Sequence, residues 1–337
     1  MCKFADVTKD LKSMKHLTLC SNTERRLTFY LAMEEYAARH LPADDYFFMW
    51  QVEPTVIFGR NQLIQSEVNL DYCREYNIQT YRRKSGGGCV YADKTNIMFS
   101  YITPDDNVSL TFGKYIDMVT LMLQGLGIPA VASGRNDIMI DGKKVSGNAF
   151  YHIPGRSIVH GTMLYDTNMQ NMVGAITPSN DKLISKGIQS VRQHITLLKD
   201  YISLNIEEFK EHVVKSLCTS TIVLDEEAIK EIEHIEEEYL TTEFIYGNNP
   251  RYNIVRKGRI DGVGDFMVNL EMKNDVIKDI DIKGDFFLVG DIANQLLSHL
   301  QGIPLTREAI EKALPEQLDN VILGLKRDDL TDILING

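Results

Sequence analysis

Tyr81-Arg82-Arg83-Lys84-Ser85-Gly86-Gly87-Gly88-Cys89-Val90-Tyr91 sets three consecutive cations and a serine against three consecutive glycines. Two stretches that read as strands flank it, Ile78 to Arg82 and Cys89 to Tyr91. Glycine reaches φ > 0 without steric cost and lets another molecule approach the backbone. Backbone N–H groups exposed in such a turn form a concave anion site. Arginine adds planar, charge-assisted donors, each such bond worth roughly 1.5–3 kcal/mol. One reading is a phosphate or carboxylate cradle; the other is a glycine-rich hairpin with a solvated basic flank. The stretch alone does not choose between them.

The rest of the chain narrows the setting. Its 337 residues are enough for one large domain and a smaller one, each with its own core. The composition, 44% hydrophobic and 25% charged, is that of an ordinary globular protein. A net charge of -11 argues against a general nucleic-acid binder, because affinity for phosphate backbones comes from excess Lys and Arg. In an acidic chain, the gathered cations of Arg82–Lys84 point to a local anion site. The five cysteines, Cys2, Cys20, Cys73, Cys89 and Cys218, are widely spaced and contain no CxxC pair. That pattern suits reduced thiols in a cytoplasmic compartment. The first twenty residues carry charge throughout and lack a signal core, and no run reaches membrane-span length. No membrane association and no nucleic-acid partner are expected.

Taken in order, residues 15–21 read as a strand, and Asn22 or Thr23 as the N-cap of a helix reaching His40. Strands follow at 47–51 and 55–58, broken at Glu53-Pro54. The Gly59-Arg60-Asn61-Gln62 turn leaves Arg60 at a strand end. A short helix over 69–77 leads into the glycine run. Then come a strand at 97–102 and an amphipathic helix over 110–126, closed by Gly127 and Pro129. The next block runs Ser133-Gly134-Arg135-Asn136-Asp137-Ile138-Met139-Ile140-Asp141-Gly142-Lys143-Lys144-Val145-Ser146-Gly147-Asn148-Ala149. Asp141-Gly142 between apolar residues is a type I′ hairpin signal. It is expected to fold Lys144 back alongside Ile138 and to bring Asp137 and Lys144 within ion-pair reach. Locally, Lys144 also reads as a hairpin surface lysine. His160, in a strand at 157–165 that carries His160-Gly161-Thr162, also reads as a satisfied strand histidine. After a short helix over 166–174, a loop from Lys182 to Arg192 carries further cations. Helices are expected over 204–219 and 225–240, the second with a solvated acidic face. Past Gly247-Asn248-Asn249-Pro250 the pattern changes to strands at 252–255, 265–273 and 276–283. Helices over 289–301, 306–314 and 328–334 complete a compact α+β module.

No GxxxxGK[ST] loop and no GxGxxG turn is present. Five ordered blocks do share one resemblance: Pro54-Thr55-Val56-Ile57-Phe58-Gly59-Arg60-Asn61-Gln62, Arg82-Arg83-x-Ser85-Gly86-Gly87-Gly88-x-Val90, Gly134-Arg135-Asn136-Asp137 with Lys144-Val145-Ser146-Gly147, His160-Gly161-Thr162, and Lys182-Leu183 through Lys186-Gly187 to Ser190-Val191-Arg192. Together they resemble the lipoate–protein ligases of the biotin/lipoate ligase superfamily, strongly over 15–200 and more weakly in the C-terminal module. The chain departs from that pattern at Ala92-Asp93, where the family often has His-Asp, and at Thr95, where it has Gly.

The resemblance implies an α+β fold. A large domain of mixed and antiparallel sheets flanked by helices would span 1–242. A linker at 243–249 would lead to a small α+β accessory domain over 250–337. It implies that lipoate attacks the α-phosphate of ATP to give lipoyl-AMP, whose acyl group then passes to a lysine of an acceptor. Those acceptors are the lipoyl domains of 2-oxoacid dehydrogenase complexes and the glycine-cleavage carrier protein; a monomer is expected. Carried over residue by residue, Lys144 is the catalytic cation, contacting lipoate and phosphate. ATP or lipoyl-AMP falls to Arg83, Gly86, Gly87, Gly88, Cys89, Val90, Tyr91, Asn136, Asp137 and Lys144. Lipoate falls to Lys144, Arg82, His160 and Gly161. Arg60, Ser146, Gly147, Thr162 and Lys182 are secondary candidates. Mg2+ would arrive with ATP, held mainly by phosphates and waters rather than by a protein metal site.

Three rivals share parts of this pattern. Acyl transfer between carrier proteins through a cysteine acyl-enzyme needs a positioned thiolate, and no cysteine lies between Cys89 and Cys218. Biotin–protein ligation fits the RR-x-SGGG block less well. A non-catalytic binder of acyl-adenylates or carrier domains has no need of Arg83, Asp137 and Lys144 together.

Overall fold

The computed structural model describes residues 14–105, 107–133, 136–176, 194–246, 254–273 and 276–336. The candidate Lys182 and its loop lie outside them, as do Gly134 and Arg135.

Fourteen strands are formed by these residues. They are β1 (Met14–Leu19), β2 (Tyr46–Trp50), β3 (Thr55–Phe58), β4 (Gln79–Arg82), β5 (Val90–Ala92), β6 (Ile97–Thr103), β7 (Ala130–Ser133), β8 (Asp137–Ile140), β9 (Lys143–Ile153), β10 (Arg156–Met163), β11 (Cys218–Leu224), β12 (Ile254–Ile260), β13 (Gly264–Lys273) and β14 (Val276–Gly284). Eight of them build one mixed sheet in the order β11-β1-β2-β6-β10-β9-β8-β7. β1 runs parallel to both β11 and β2, and the pairings from β2 to β7 are antiparallel. Two three-stranded sheets have the orders β4-β3-β5 and β12-β13-β14. The protein is therefore α+β, with a large helix-flanked mixed sheet and a small antiparallel one.

Strand alternation sends successive side chains to opposite faces of the large sheet. On one face Phe48, Trp50, Met98, Ile102, Tyr151 and Ile158 join a core with helix α1 (Leu27–His40). Burying residues such as Phe29 and Leu31 there contributes roughly 1.5–3 kcal/mol each. The alternate positions Tyr101 and Phe150 meet Tyr115 and Phe112 of helix α2 (Val108–Gly125), with ring centroids 6.0 and 5.0 Å apart.

Three expectations need correction. Neither Asn22 nor Thr23 caps α1. That helix starts at Leu27 with Arg26 at the N-cap and no side-chain cap, while Thr23 bonds to Ser21 instead. The helix expected over 204–219 ends at Leu217, and Cys218–Leu224 becomes β11 beside β1. The acidic end of the next helix, Glu226–Tyr239, is not wholly solvated. Glu236 is buried, accepting from Thr28 and lying 3.0 Å from Arg26 Nε.

The described parts of the chain form two compact units. One holds the segments up to Ile57, Val68–Tyr81 and Val90–Ile245. The other holds Phe58–Glu67, Arg82–Cys89 and the chain from Tyr246 onward. The second has its own core, including Val268, Leu270, Ile280, Ile310, Leu330 and Leu334.

Candidate active site

Two constellations carry the expected site residues, one in each unit. In the second unit the glycine run folds around Arg83. Its guanidinium donates from Nε to Ser85 Oγ (2.9 Å) and from Nη2 to the carbonyls of Gly86 (2.6 Å) and Gly88 (2.7 Å). Burial lowers its pKa to about 10, which leaves it charged at neutral pH. One arginine thus curls the loop and lends it positive charge. Gly87 sits at φ +83°, and its N–H donates to the carbonyl of Phe286 (3.4 Å). Gly86 is packed so closely on that carbonyl that a Cβ would lie 2.3 Å from it.

Arg82 works on the neighbouring turn. Its Nη1 donates to the carbonyls of Gly59 (3.2 Å), Arg60 (2.7 Å) and Gln62 (2.8 Å), and its guanidinium lies 4.6 Å from the Phe58 ring centroid. The turn closes through Gly59 N–H to Gln62 Oε1 and abuts the glycine run, with Arg60 N–H donating to Ser85 O (2.9 Å). In the sequence Gly59 and Gln62 read as residues of a turn within the resembling block, with no role of their own. Yet a Cβ at Gly59 would stand 2.1 Å from Gly87 O. Arg82→Ala would leave three turn carbonyls without that donor, so a stability loss of about 3 kcal/mol is expected in denaturant unfolding. A loss below about 1 kcal/mol would contradict this role.

In the first unit, β8 and β9 form the anticipated hairpin. Asp141 and Gly142 have φ +50° and +75°, as a type I′ turn requires. The register differs from the expected one. Lys144 pairs with Met139, not Ile138, and the ladder shifts so that Ile138 faces Ser146 and Asp137 faces Gly147. The extra residue is Val145, fully buried. Such a bulge re-aims side chains. Here Lys144 Nζ meets Asp137 Oδ1 at 2.8 Å. The lysine stem crosses Gly147, where a Cβ would lie 2.6 Å from both Cε and Nζ. Behind it, Thr196 N–H donates to Lys144 O (2.9 Å) and anchors the strand.

Asn136 is tied to Asn148. Asn136 Nδ2 donates to Asn148 O (2.8 Å), and Asn136 O accepts from Asn148 N (3.0 Å) and Nδ2 (3.0 Å). Ser146 Oγ donates to Asn148 Oδ1 (3.3 Å), and Thr162 Oγ1 lies 3.4 Å from Gly147 N. Gly161 faces Asn148 across the β9–β10 ladder.

His160 is buried and satisfied. Its Nδ1 lies 2.9 and 3.0 Å from the two oxygens of Glu34, a wholly buried carboxylate on α1. Ser100 Oγ donates to Glu34 Oε1 (2.6 Å), and Trp50 Nε1 donates to Ser100 Oγ (2.9 Å). A buried carboxylate persists only with such donors. Sequence reading did not find this chain, though Glu34 on the apolar face of α1 was its one visible trace. Tyr91, buried on β5, receives a bond from Asn171 Nδ2 (3.4 Å). Its phenol pKa is raised by burial.

The departures from the resemblance are built into one loop. Thr95 Oγ1 bonds to Asp93 (2.6 Å) and to Asp166 O (2.6 Å), and Asp93 also accepts from Asn168 N. Burial raises the Cys73 thiol to about 11 and the Cys218 thiol to about 12, so both are neutral at pH 7. Burial therefore disfavours in both the thiolate that an acyl-enzyme needs. Among the described residues no three or more His, Cys, Asp or Glu are grouped to hold a metal ion, and no helix is long and apolar enough to cross a membrane.

Comparison with known proteins identifies the family. Residues 27–218 match the lipoyl protein ligase A/B catalytic domain, and residues 249–334 match the bacterial lipoate protein ligase C-terminus. Lipoate-protein ligase LplJ of Bacillus subtilis is 34% identical over 321 residues, covering 90% of this chain and 95% of that protein. Lipoate–protein ligase 1 of Staphylococcus aureus is 37% identical over 298 residues, covering 86% and 90%. The structure of P. falciparum LipL1 in complex with lipoate shares the fold, with a TM-score of 0.75 at 22% identity, covering 96% of this chain and all of that one. A bipartite lipoate protein ligase from Thermoplasma acidophilum, described with its E2 lipoyl domain, has a TM-score of 0.64 at 23% identity over 72% of this chain and 100% of that one. This chain belongs to the lipoate–protein ligase family.

Proposed function

We propose that the protein ligates lipoate to a lysine of lipoyl-domain acceptors in an ATP-dependent, AMP-forming reaction. The observation that carries this reading is the Lys144–Asp137 pair on a bulged hairpin, in a chain matching both ligase domains. In the first step a lipoate carboxylate oxygen attacks the α-phosphorus of ATP, and pyrophosphate leaves with the bonding electrons. The acceptor lysine amine then attacks the acyl carbon of lipoyl-AMP. AMP departs, an amide forms, and a proton is released.

The first step brings a carboxylate against a polyphosphate, and preorganised cations and N–H donors offset that repulsion. Lys144 takes the position between carboxylate and α-phosphate. As a compact point charge it follows the negative charge into the departing AMP, and it forms no covalent bond. Asp137 orients it. The nucleotide is assigned to Asn136 and Asp137 of the hairpin, and by the same family pattern to Arg83, Gly86, Gly87, Gly88, Cys89, Val90 and Tyr91. Val90, Val145 and the buried His160 border the apolar slot for the acyl chain, beside Gly161. Arg82 holds the turn at Arg60 that supports the glycine run. Bound with ATP, Mg2+ would supply charge neutralisation on the triphosphate, with phosphates and waters as its main ligands and no side chain of this chain assigned to it.

The acceptors are lipoyl domains of 2-oxoacid dehydrogenase complexes and the glycine-cleavage carrier protein, met by a cytoplasmic monomer. The catalytic part spans 1–242 and the accessory part 250–337. Acid-dependent ATP–pyrophosphate exchange tests the assignment. Exchange with lipoate or octanoate, and none with biotin, is expected. No exchange with any of the three acids would leave a binding-only relative.

A further inference from the structure

The pair Lys144–Asp137 needs more than its own two side chains to hold its geometry. Asp137 is the first residue of β8, and Asn136 precedes it outside the strand. What fixes Asn136 is Asn148, through the three hydrogen bonds of 2.8–3.0 Å described above. Asn148 is only 3% exposed and sits in a strand of mostly apolar neighbours. Asparagine is disfavoured in strands, and a buried amide costs free energy unless satisfied. Here both of its ends are used: Nδ2 donates to Asn136 O, and Oδ1 accepts from Ser146. The facing residue makes room for it. A Cβ at Gly161 would lie 1.8 Å from Asn148 Oδ1 and 2.8 Å from its Cγ. A fully satisfied buried network of this kind rigidifies what it holds.

We propose that Asn148 is a positioning residue for the adenylation step, clamping Asn136 so that the Asp137 carboxylate meets Lys144 above Gly147. Gly161 belongs to the same device, as the slot that admits the amide. Asn148 itself touches no reacting atom in this scheme. The inference rests on the role given to Lys144 under the proposed function.

The test uses the full chain and lipoate-dependent ATP–pyrophosphate exchange. Wild-type exchange establishes the underlying reading; its absence overturns that reading and not the clamp. Asn148→Asp keeps size and shape but, ionised, loses the donor to Asn136 O. It is expected to lower kcat about 10²-fold at pH 8, with KM for ATP and lipoate within about threefold of wild type. The deficit is expected to narrow as pH falls, because a protonated carboxyl regains an O–H donor. A deficit equal at every pH, or kcat within threefold of wild type, overturns the proposal.

A second pair of variants covers a failure of Asn148→Asp to fold. Gly161→Ala is expected to lower kcat by displacing the amide. In the double variant with Asn148→Ala the two losses are expected to overlap, since the alanine has no amide left to displace. Fully additive losses would overturn the clamp.

Discussion

Lys144→Ala is expected to abolish lipoyl-AMP formation, by about 10³-fold or more, while the protein stays folded. The two halves of this expectation have separate physical grounds. The Lys144 side chain is 37% exposed and its partner Asp137 32%. A half-solvated ion pair of this kind contributes only about 0–1 kcal/mol to stability. What holds the strand here is backbone: the β8 register, and the bond from Thr196 N–H to Lys144 O, both of which alanine keeps. The chemical loss is large because no other described cation of the first-unit constellation lies beside Asp137. Lys144→Arg is not expected to rescue activity. A planar fork cannot replace a point charge that must sit between two anions, and the bulkier head has to cross the same surface above Gly147. Single-turnover formation of lipoyl-AMP from labelled ATP, with thermal unfolding as the control, measures both halves. Activity within threefold of wild type in a folded Lys144→Ala protein would sink the assignment.

How far the site was legible in the sequence depended on the range of the interaction. The Asp141-Gly142 turn is local chemistry, and it formed as read. The nearness of Asp137 and Lys144 followed from that turn. The route by which they meet did not, because it depends on a bulge at Val145. A bulge is set by the fit of the whole strand to its neighbours, and nothing in Lys144-Val145-Ser146 marks it. The strand Cys218–Leu224 was hidden for a similar reason. No glycine or proline separates it from the preceding helix, and it is strand because β1 lies beside it. Buried charge was the least legible feature. Glu34 and Glu236 look like ordinary helix carboxylates until His160 and Ser100, or Thr28 and Arg26, are brought to them from distant sequence. Arg82 and Arg83 are instructive in another way. The sequence points both cations at ligands, and what the structure shows is both folding loops through backbone carbonyls.

Gly147→Ala should reduce kcat for adenylation about 10²-fold and hardly change the unfolding temperature, which separates geometry from stability at one atom. A Cβ here meets Lys144 Cε and Nζ at 2.6 Å and nothing else closer than the Asp137 carboxylate at 3.9 Å. The obstructing atoms are the end of a flexible side chain, so the backbone stays in place and the lysine swings aside. Strand backbone accepts alanine, and Gly147 is not among the glycines held at positive φ. The displaced ammonium loses its place beside Asp137, and an error of about 1 Å in a reacting group can cost 10²-fold in rate. Gly59→Ala provides the contrast. Its Cβ would meet the backbone oxygen of Gly87 at 2.1 Å, so the loop itself must shift and stability should fall together with activity. Thermal unfolding and single-turnover adenylation, run on the two variants side by side, distinguish the cases. If Gly147→Ala unfolded as readily as Gly59→Ala, or kept full activity, Gly147 could not be the surface that aims Lys144.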